Sequence, residues 1–257
     1  MLNRQIVTIA RFTLLEAVRT RFPWHFLIVL GLIFGTAYFI QLLAITESSR
    51  LQIAFSAAAT RLAAVFMLSL HVLTSMVREF NDKGLELALS FDLPRSRYIL
   101  GRLCGFALIA LMVALLASVP QWLIAPPTAV LQWGLSLALE LTIITALSLF
   151  CIVTFTQLMP AAVFVFGFYL LARALTAIRM MNDTPLVHGD ALTHQFISLF
   201  VDMLALVLPA LDHYAQGSWL LDSAVPWQTL GANAVQTALY VVLLGAATMF
   251  DFYRRNL

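Results

Sequence analysis

Charged side chains are scarce in this chain. Its 257 residues include 15 Lys and Arg and 13 Asp and Glu, which is 11% charged residues, and 61% of the chain is hydrophobic. Soluble proteins average about 25% charged residues. A soluble fold of this length could not bury so much apolar surface, whereas a lipid bilayer is a solvent for it. The composition therefore predicts an integral membrane protein, and the net charge of +2 does not indicate a nucleic-acid partner.

Several motifs of catalysis and cofactor binding are absent. No GxxxxGK[ST] phosphate loop occurs, and the single lysine, Lys83, lies in NDKGLE, which does not fit one. HExxH, CxxC and GxSxG are missing as well. We therefore expect no cofactor or metal in this chain and no enzymatic activity of its own. Cys104 and Cys151 lie in apolar runs and are expected to pack rather than to form a disulfide.

Six apolar runs are long enough to cross a membrane, since a helix needs about 20 apolar residues to span the hydrocarbon core. They cover residues 26–45, 57–77, 103–125, 131–157, 160–178 and 228–250. The fourth and fifth runs come from one stretch that Gln157 and the helix breaker Pro160 divide. We therefore predict an all-α fold with six transmembrane helices, forming a single domain over residues 1–257.

The arginines indicate how the helices are oriented. If both termini are cytoplasmic, eleven of the fifteen Lys and Arg face the cytoplasm, and only Arg50, Arg61, Arg173 and Arg179 face outward. This excess follows the positive-inside rule. The chain is therefore predicted to be a multi-pass membrane protein with both termini in the cytoplasm.

Residues 1–25 are predicted to be a cytoplasmic segment that contains an amphipathic helix at the inner membrane interface. One side of this helix is expected to carry the apolar or small residues Ile6, Ile9, Phe12, Thr13, Leu15 and Phe22, and the other side Arg4, Arg11 and Arg19. The alternative is an extended cytoplasmic start to the first span.

Residues 180–227 are predicted to be an outer segment with re-entrant or interfacial helices before the sixth span. Within it, residues 196–211 are apolar but include Asp202 and Pro209, which disfavours a seventh crossing. A seventh crossing would also move the C-terminal arginines to the outside, against the charge rule.

Charge is concentrated in residues 78–102, REFNDKGLELALSFDLPRSRYILGR, which hold nine of the 28 charged residues. Glu79, Asp82, Lys83 and Glu86 recur at spacings of three and four, so they share one face of a short helix. A helix of mixed charge beside the bilayer indicates a docking surface for a soluble partner. The alternative is a solvated loop.

This charged segment resembles the cytoplasmic coupling region of type-2 ABC exporter permeases. The resemblance lies in REFNDKGLELALS and LPRSRYILGR, at Arg78, Glu79, Gly84, Glu86, Leu89, Pro94, Ser96, Arg97, Gly101 and Arg102. The order of elements is similar as well. The outer stretch 208–227 is similar to the smaller bacterial permeases of this family, including those associated with copper-enzyme maturation.

The resemblance implies the transmembrane subunit of an ABC exporter in the bacterial inner membrane. ATP and Mg would bind to a separate ATPase subunit docked at residues 78–102, and a second permease chain, identical or paralogous, would complete the pathway. The resemblance also allows a periplasmic or accessory protein as a further partner. The expected docking residues are Arg78, Glu79, Asp82, Lys83, Glu86, Arg95 and Arg97. Arg95 and Arg97 alternatively serve only as topology signals or as anchors of the third span.

Glu140 is the one acidic residue well inside a predicted span, so its carboxylate is expected to face protein or water. We predict that it pairs with Arg173 or Arg61 in the outer half of the bundle, and a contact with substrate is the alternative. Glu140 and His71 also leave open a membrane-embedded heme or quinone anchor, although His71 shows no partner ligand at helical spacing. A carrier that works without ATP is a third alternative.

Overall fold

The computed structural model describes residues 2–43, 48–82, 94–182, 199, 201, 203–204, 207–221 and 226–254. Over these residues it contains helices and no strands, and six helices are long and apolar enough to cross a membrane, which confirms the predicted number. The helices are α1 (Leu2–Arg19), α2 (Phe22–Leu43), α3 (Ser48–Asn81), α4 (Arg95–Gln121), α5 (Pro127–Phe155), α6 (Leu158–Asn182), α7 (Ser218–Leu221) and α8 (Trp227–Arg254). The six candidate crossings are α2 to α6 and α8.

Proline residues and a left-handed residue set the limits of the two central helices. α5 begins with Pro127, at a position where the missing N–H has no helical partner to lose. It ends before Thr156, which has φ 58° and donates its N–H to Ile152 O at 3.0 Å. α6 begins two residues later with Pro160 in its first turn. The predicted division near Gln157 is therefore confirmed.

Contacts between distant helices define two ends of the bundle. At one end, which we call the α1 end, Arg95 Nη1 donates to Phe252 O at 3.2 Å and Thr154 Oγ1 donates to Asp251 Oδ2 at 2.6 Å. At the opposite end, residues 207–221, which we call the hook, bond to side chains of α3, α5, α6 and α8. α1 and the last turn of α8 therefore lie at the same end of the molecule.

The six candidate crossings differ in how much of their surface is covered by protein. In α5, 72% of the most apolar stretch is buried, against 17% in α2. Trp133, Leu137, Leu141 and Ile144 of α5 are fully buried. The bundle is therefore organised around α5, and α2 lies at its edge.

α1 packs in parallel register along the first turns of α4. The contacts recur every four residues, so that Gln5 faces Arg97, Ile9 faces Gly101 and Thr13 faces Gly105. A Cβ atom added to either glycine would lie only 2.7 Å from Ile9 Cβ or 2.6 Å from Thr13 Cβ. The two glycines therefore permit a close approach of the helix backbones, as small residues four apart do in membrane helix pairs.

The exposed face of α1 differs from the one that the sequence predicts. Thr13 and Ala17 are buried, whereas Phe12 and Leu15, expected on the same side as Thr13, are 66% and 54% exposed. Arg11 is exposed beside them. The physical reason is helix geometry, since at 3.6 residues per turn Leu15 follows Arg11 by one turn and points away from Thr13, which faces α4.

Some predicted features lie outside the described residues. The central part of the charged segment, residues 83–93 with Lys83 and Glu86, is among them. Most of the outer segment 183–206 also falls there. The described part of the outer segment consists mainly of the hook, which holds a 3-10 turn at Leu211–His213 and the short helix α7.

The contact between α1 and α4 can be tested with Gly105→Ala. The added methyl group would overlap Thr13 Cβ, so we expect α1 to be displaced at a cost of about 1–3 kcal/mol. The result would be a lower melting temperature in detergent and faster tryptic cleavage after the α1 arginines. Gly31→Ala is the matched control, because a Cβ there meets no atom within 4 Å. Since alanine is the better helix former, this control should melt no lower than the wild type. Equal stability of the Gly105 variant and the wild type would contradict the close contact.

Candidate functional site

The guanidinium of Arg102 joins three helices at the α1 end. Arg102 is 4% exposed, and its Nη1 donates to Glu16 Oε2 at 3.0 Å and to Thr13 Oγ1 at 3.2 Å. Its Nη2 donates to Glu79 Oε2 in a second ion pair. Because Glu16 belongs to α1 and Glu79 to the last turns of α3, one side chain of α4 connects all three elements.

Further contacts complete this ion-pair network. Ser75 Oγ of α3 donates to Glu16 Oε1 at 2.7 Å, so both oxygens of that carboxylate are bonded. The Arg102 guanidinium also lies 5.9 Å from the ring centres of Tyr98 and Phe106. A planar guanidinium suits this arrangement, since it donates in several directions at once while it stacks on aromatic rings.

Burial alone would raise the pKa of the Glu16 carboxyl, but hydrogen bonds from Ser75 and Arg102 and the Arg102 charge outweigh it. The net result is a pKa below the ordinary value of 4.5. The network therefore favours the charged carboxylate in the folded protein.

The predicted docking residues divide into two groups. Arg78 and Asp82 are exposed at the end of α3. Glu79 points inward, with 15% of its side chain exposed, because it pairs with Arg102. Arg95 donates to the carbonyl oxygens of Phe252 and Tyr253 at the end of α8. Arg97 donates to Gln5 Oε1 of α1 at 2.8 Å. The two arginines thus fasten the start of α4 to α8 and α1, as the anchoring hypothesis for them expects.

A second polar cluster lies at the opposite end, where side chains of the bundle bind the backbone of the hook. Arg61 Nη1 of α3 and Trp133 Nε1 of α5 both donate to Ala215 O at 3.0 Å. The Ala215 N–H donates to Ser136 Oγ at 3.1 Å. Ala215 has φ 44°, in the left-handed region that residues with a side chain rarely adopt. Hydrogen bonds from α3 and α5 therefore stabilise this uncommon backbone conformation of the hook.

Arg173 of α6 connects the hook to Glu140. Its Nη1 lies 3.4 Å from Glu140 Oε1, donates to Tyr214 O at 2.9 Å and also donates to Leu211 O. Glu140 is fully buried in α5. Of the two predicted pairings of Glu140, the structure shows a direct ion pair with Arg173. Arg61 instead binds the hook nearby.

The hook is also attached to the start of α8. The Tyr214 hydroxyl donates to Asn233 O at 2.8 Å and lies 3.2 Å from Thr237 Oγ1. Asn233 Nδ2 donates to His213 O at 3.3 Å. Burial raises the pKa of Tyr214 to about 12, so the hydroxyl keeps its proton. This end of the bundle is thus closed by hydrogen bonds from four helices.

Three buried polar atoms near the ion pair have no hydrogen-bond partner among the residues that the structure describes. They are Arg61 Nε, Glu140 Oε2 and the Tyr169 hydroxyl. Buried polar atoms are usually paired in folded proteins. Tyr169 interacts electrostatically with both Glu140 and Arg61, so these side chains and Arg173 form one compact polar cluster.

His71 and Glu140 do not form a common site. His71 stacks on Phe22 with ring centres 4.4 Å apart. It follows Arg61, which lies near Glu140, by ten residues on α3, or about 15 Å of helix. Within the described ranges there is no group of three His, Cys, Asp or Glu side chains placed to hold a metal ion.

Sequence reasoning missed the Arg102 network, because it did not single out Glu16 or Ser75 and it assigned Glu79 and Arg102 to the charged docking region. Glu16 is the only acidic residue among residues 1–25, which otherwise carry arginines, and that isolation is the signal that points to an internal partner. Trp133 and Ser136 bond to the backbone of Ala215, and no feature of the sequence indicates these two contacts.

No protein-family model matches this sequence, and no curated protein shows significant similarity to it. The resemblance to exporter permeases therefore stays a prediction that rests on the charged segment and the order of the helices.

The Glu16 contacts predict a pH dependence of stability. Because the folded-state pKa lies below that of the unfolded chain, the stabilising effect of Glu16 is complete above pH 4.5 and is lost as the pH falls through the folded-state value. Glu16→Gln should therefore melt lower than the wild type at neutral pH, and the difference should shrink in acid. Asp82→Asn, at an exposed carboxylate of the same end, is the control and should leave the curve unchanged. A constant difference at all pH values would contradict the prediction.

The Arg173–Glu140 pair can be measured with a double-mutant cycle. Arg173→Met leaves a buried carboxylate without its ion-pair partner and removes two hydrogen bonds to the hook, so we expect a loss of about 3–5 kcal/mol. Glu140→Gln in the same chain should restore part of that loss, because the uncompensated charge is gone. The unfolding free energies of both single variants and the double variant give the coupling. Strictly additive effects would show that the two residues do not interact.

Proposed function

We propose that this chain is the membrane-spanning permease subunit of an ABC exporter. In this proposal a separate ATPase subunit, which binds ATP and Mg, docks at residues 78–102. Two permease chains, identical or paralogous, form the pathway. The observation that supports the proposal most directly is that the charged segment is fixed to the bundle at both of its ends by one ion pair, between Glu79 of α3 and Arg102 of α4.

This attachment suits a segment that transmits force. A loop that is free at its base absorbs a push from a partner, whereas a loop clamped between two helices passes it on. Since Arg102 also holds Glu16, a displacement of the charged segment moves α1, α3 and α4 together. Such coupled motion is what an ATPase needs in order to shift the permease between two arrangements.

The proposed orientation places the α1 end in the cytoplasm. The arginines of α1, of the α3–α4 segment and of the end of α8 collect there, in keeping with the positive-inside rule. α1 runs along the first turns of α4 at this end, where its exposed Phe12 and Leu15 contact lipid and its arginines contact headgroups. The host membrane is proposed to be the bacterial inner membrane.

The opposite end then faces outward and carries the hook. Arg61 and Arg173 bind the hook through its backbone carbonyls, and Glu140 neutralises one of these charges inside the bundle. Cargo that leaves through this end has to displace the hook or pass beside it. In this proposal the Glu140–Arg173 pair positions Arg173 to bind the hook and does not contact the cargo.

The docking surface is proposed to consist of the exposed Arg78 and Asp82 together with Lys83 and Glu86 of the adjoining segment. Glu79 is excluded from direct docking because it serves the internal ion pair. Arg95 and Arg97 bond to α8 and α1 and so fix the start of α4, which follows this surface in the chain.

The proposal is tested by purifying the tagged chain in mild detergent and assaying the associated soluble protein for ATPase activity. We expect a phosphate-loop ATPase to copurify. The double variant Asp82→Lys with Glu86→Lys should lose most of it, because reversed charges oppose the complementary surface. Arg4→Glu, a charge reversal on exposed α1, is the control and should retain the ATPase. Purification of a folded chain without any ATPase, from membranes that lack the activity, would overturn the proposal.

A further inference from the structure

The turn between α1 and α2 holds an arginine in an uncommon backbone conformation. Arg21 has φ 58°, which is rare for a residue with a side chain and marks a locally constrained turn. The turn is closed by the Arg21 N–H, which donates to Val18 O at 3.1 Å, and by the Thr20 N–H, which donates to Glu16 O at 2.9 Å. This turn places the exposed guanidinium of Arg21 at the N-terminus of α2.

A surface cavity of about 430 Å³ lies at this point. It is lined by Arg21, Trp24, His25 and Ile28, which are spaced as one face of α2. The His25 ring is fixed by a 2.8 Å hydrogen bond between its Nδ1 and Arg21 O. Nδ1 must carry the proton in that bond, so Nε2 of the neutral ring is an acceptor that a hydroxyl group of a ligand can reach.

The cavity lies in a positively charged region. Arg21 forms no ion pair with any carboxylate in the part of the chain that the structure describes. Arg19, two residues earlier, is exposed as well, whereas Arg11 and Arg4 lie about 15 Å or more away along α1. An anion at the cavity would therefore meet favourable charge from two elements.

The face of α2 below the cavity is apolar and open. Ile28, Leu32 and Phe39 are 60%, 66% and 61% exposed along it. Gly31 and Gly35 lie between them, and a Cβ added at either position would meet no atom within 4 Å. Because the two glycines carry no side chain, they leave a shallow groove between Ile28, Leu32 and Phe39 on this open face.

We infer that this turn binds an anionic phospholipid. The phosphate lies against Arg21, a hydroxyl of the headgroup donates to His25 Nε2, Trp24 packs at the level of the headgroup, and one acyl chain follows the glycine groove of α2. Along α2 the charge of Arg21 comes first, then Trp24, then the apolar groove. This order matches the phosphate, the interfacial region and the acyl chain of a phospholipid. The inference requires only that α2 crosses a membrane, and it does not depend on the proposed transport function.

The test is native mass spectrometry of the purified chain titrated with phosphatidylglycerol or with phosphatidylcholine. We expect one phosphatidylglycerol to be retained in preference to phosphatidylcholine. Arg21→Gln should weaken this binding about fivefold, the effect of one basic residue near a membrane surface. Arg254→Gln removes an equal charge from an exposed position at the same end and should leave the binding unchanged. Monodispersity and helical content show that both variants fold.

Other outcomes would overturn the inference. Equal weakening by Arg21→Gln and Arg254→Gln would mean unspecific attraction to the charged end. Displacement of the lipid by glycerol phosphate alone would indicate a site for free phosphate. A dimer that Gly35→Leu abolishes, with lipid retention unchanged, would assign this face of α2 to a second copy of the chain.

Discussion

A buried positive charge is the constraint on which the α1 end depends. Removing an ion from water costs several kcal/mol even after the protein relaxes, so Arg102 can be 4% exposed only while its acceptors are in place. Those acceptors come from α1 and α3, which are distant in sequence. The cost of burial thus becomes a requirement that three helices meet at one point. Removing either carboxylate would leave part of the Arg102 charge uncompensated, and one of the three helices would lose its contact with Arg102.

Arginine is used in a different way at the opposite end. Arg61 and Arg173 direct their donors mainly to backbone carbonyls of the hook, and only Arg173 has a carboxylate as well. Carbonyl acceptors carry partial charge, so these contacts are weaker one by one and can be exchanged for water more readily than an ion pair. The α1 end thus has two ion pairs on one arginine, whereas the opposite end has one ion pair and several hydrogen bonds from arginines to backbone carbonyls.

The sequence predicts the large features of this fold because they follow from hydropathy. Six apolar runs, and the break marked by Gln157 and Pro160, require only the thickness of a bilayer and the chemistry of proline. The packing face of α1 did not follow, because Phe12 and Leu15 lie on the side of Arg11 in a helix of 3.6 residues per turn, and because the sequence does not show that Gly101 and Gly105 receive Ile9 and Thr13. The Glu140–Arg173 contact could be anticipated, since a buried carboxylate needs a cation. The role of Arg102 could not, because a charge near a helix end is usually solvated and only the folded structure shows that it is covered.

The pairing of α1 with α4 has a consequence for how α1 is positioned. The contacts repeat at intervals of four residues, so packing alone would also be satisfied, in part, after a shift of α1 by one turn, about 6 Å. Ile9 would then face Gly105 in place of Thr13. The ion pair between Glu16 and Arg102 does not repeat, because residues 2–19 contain a single acid. The two glycines thus permit more than one packing register of α1 against α4, and the single ion pair of Glu16 determines which register is adopted.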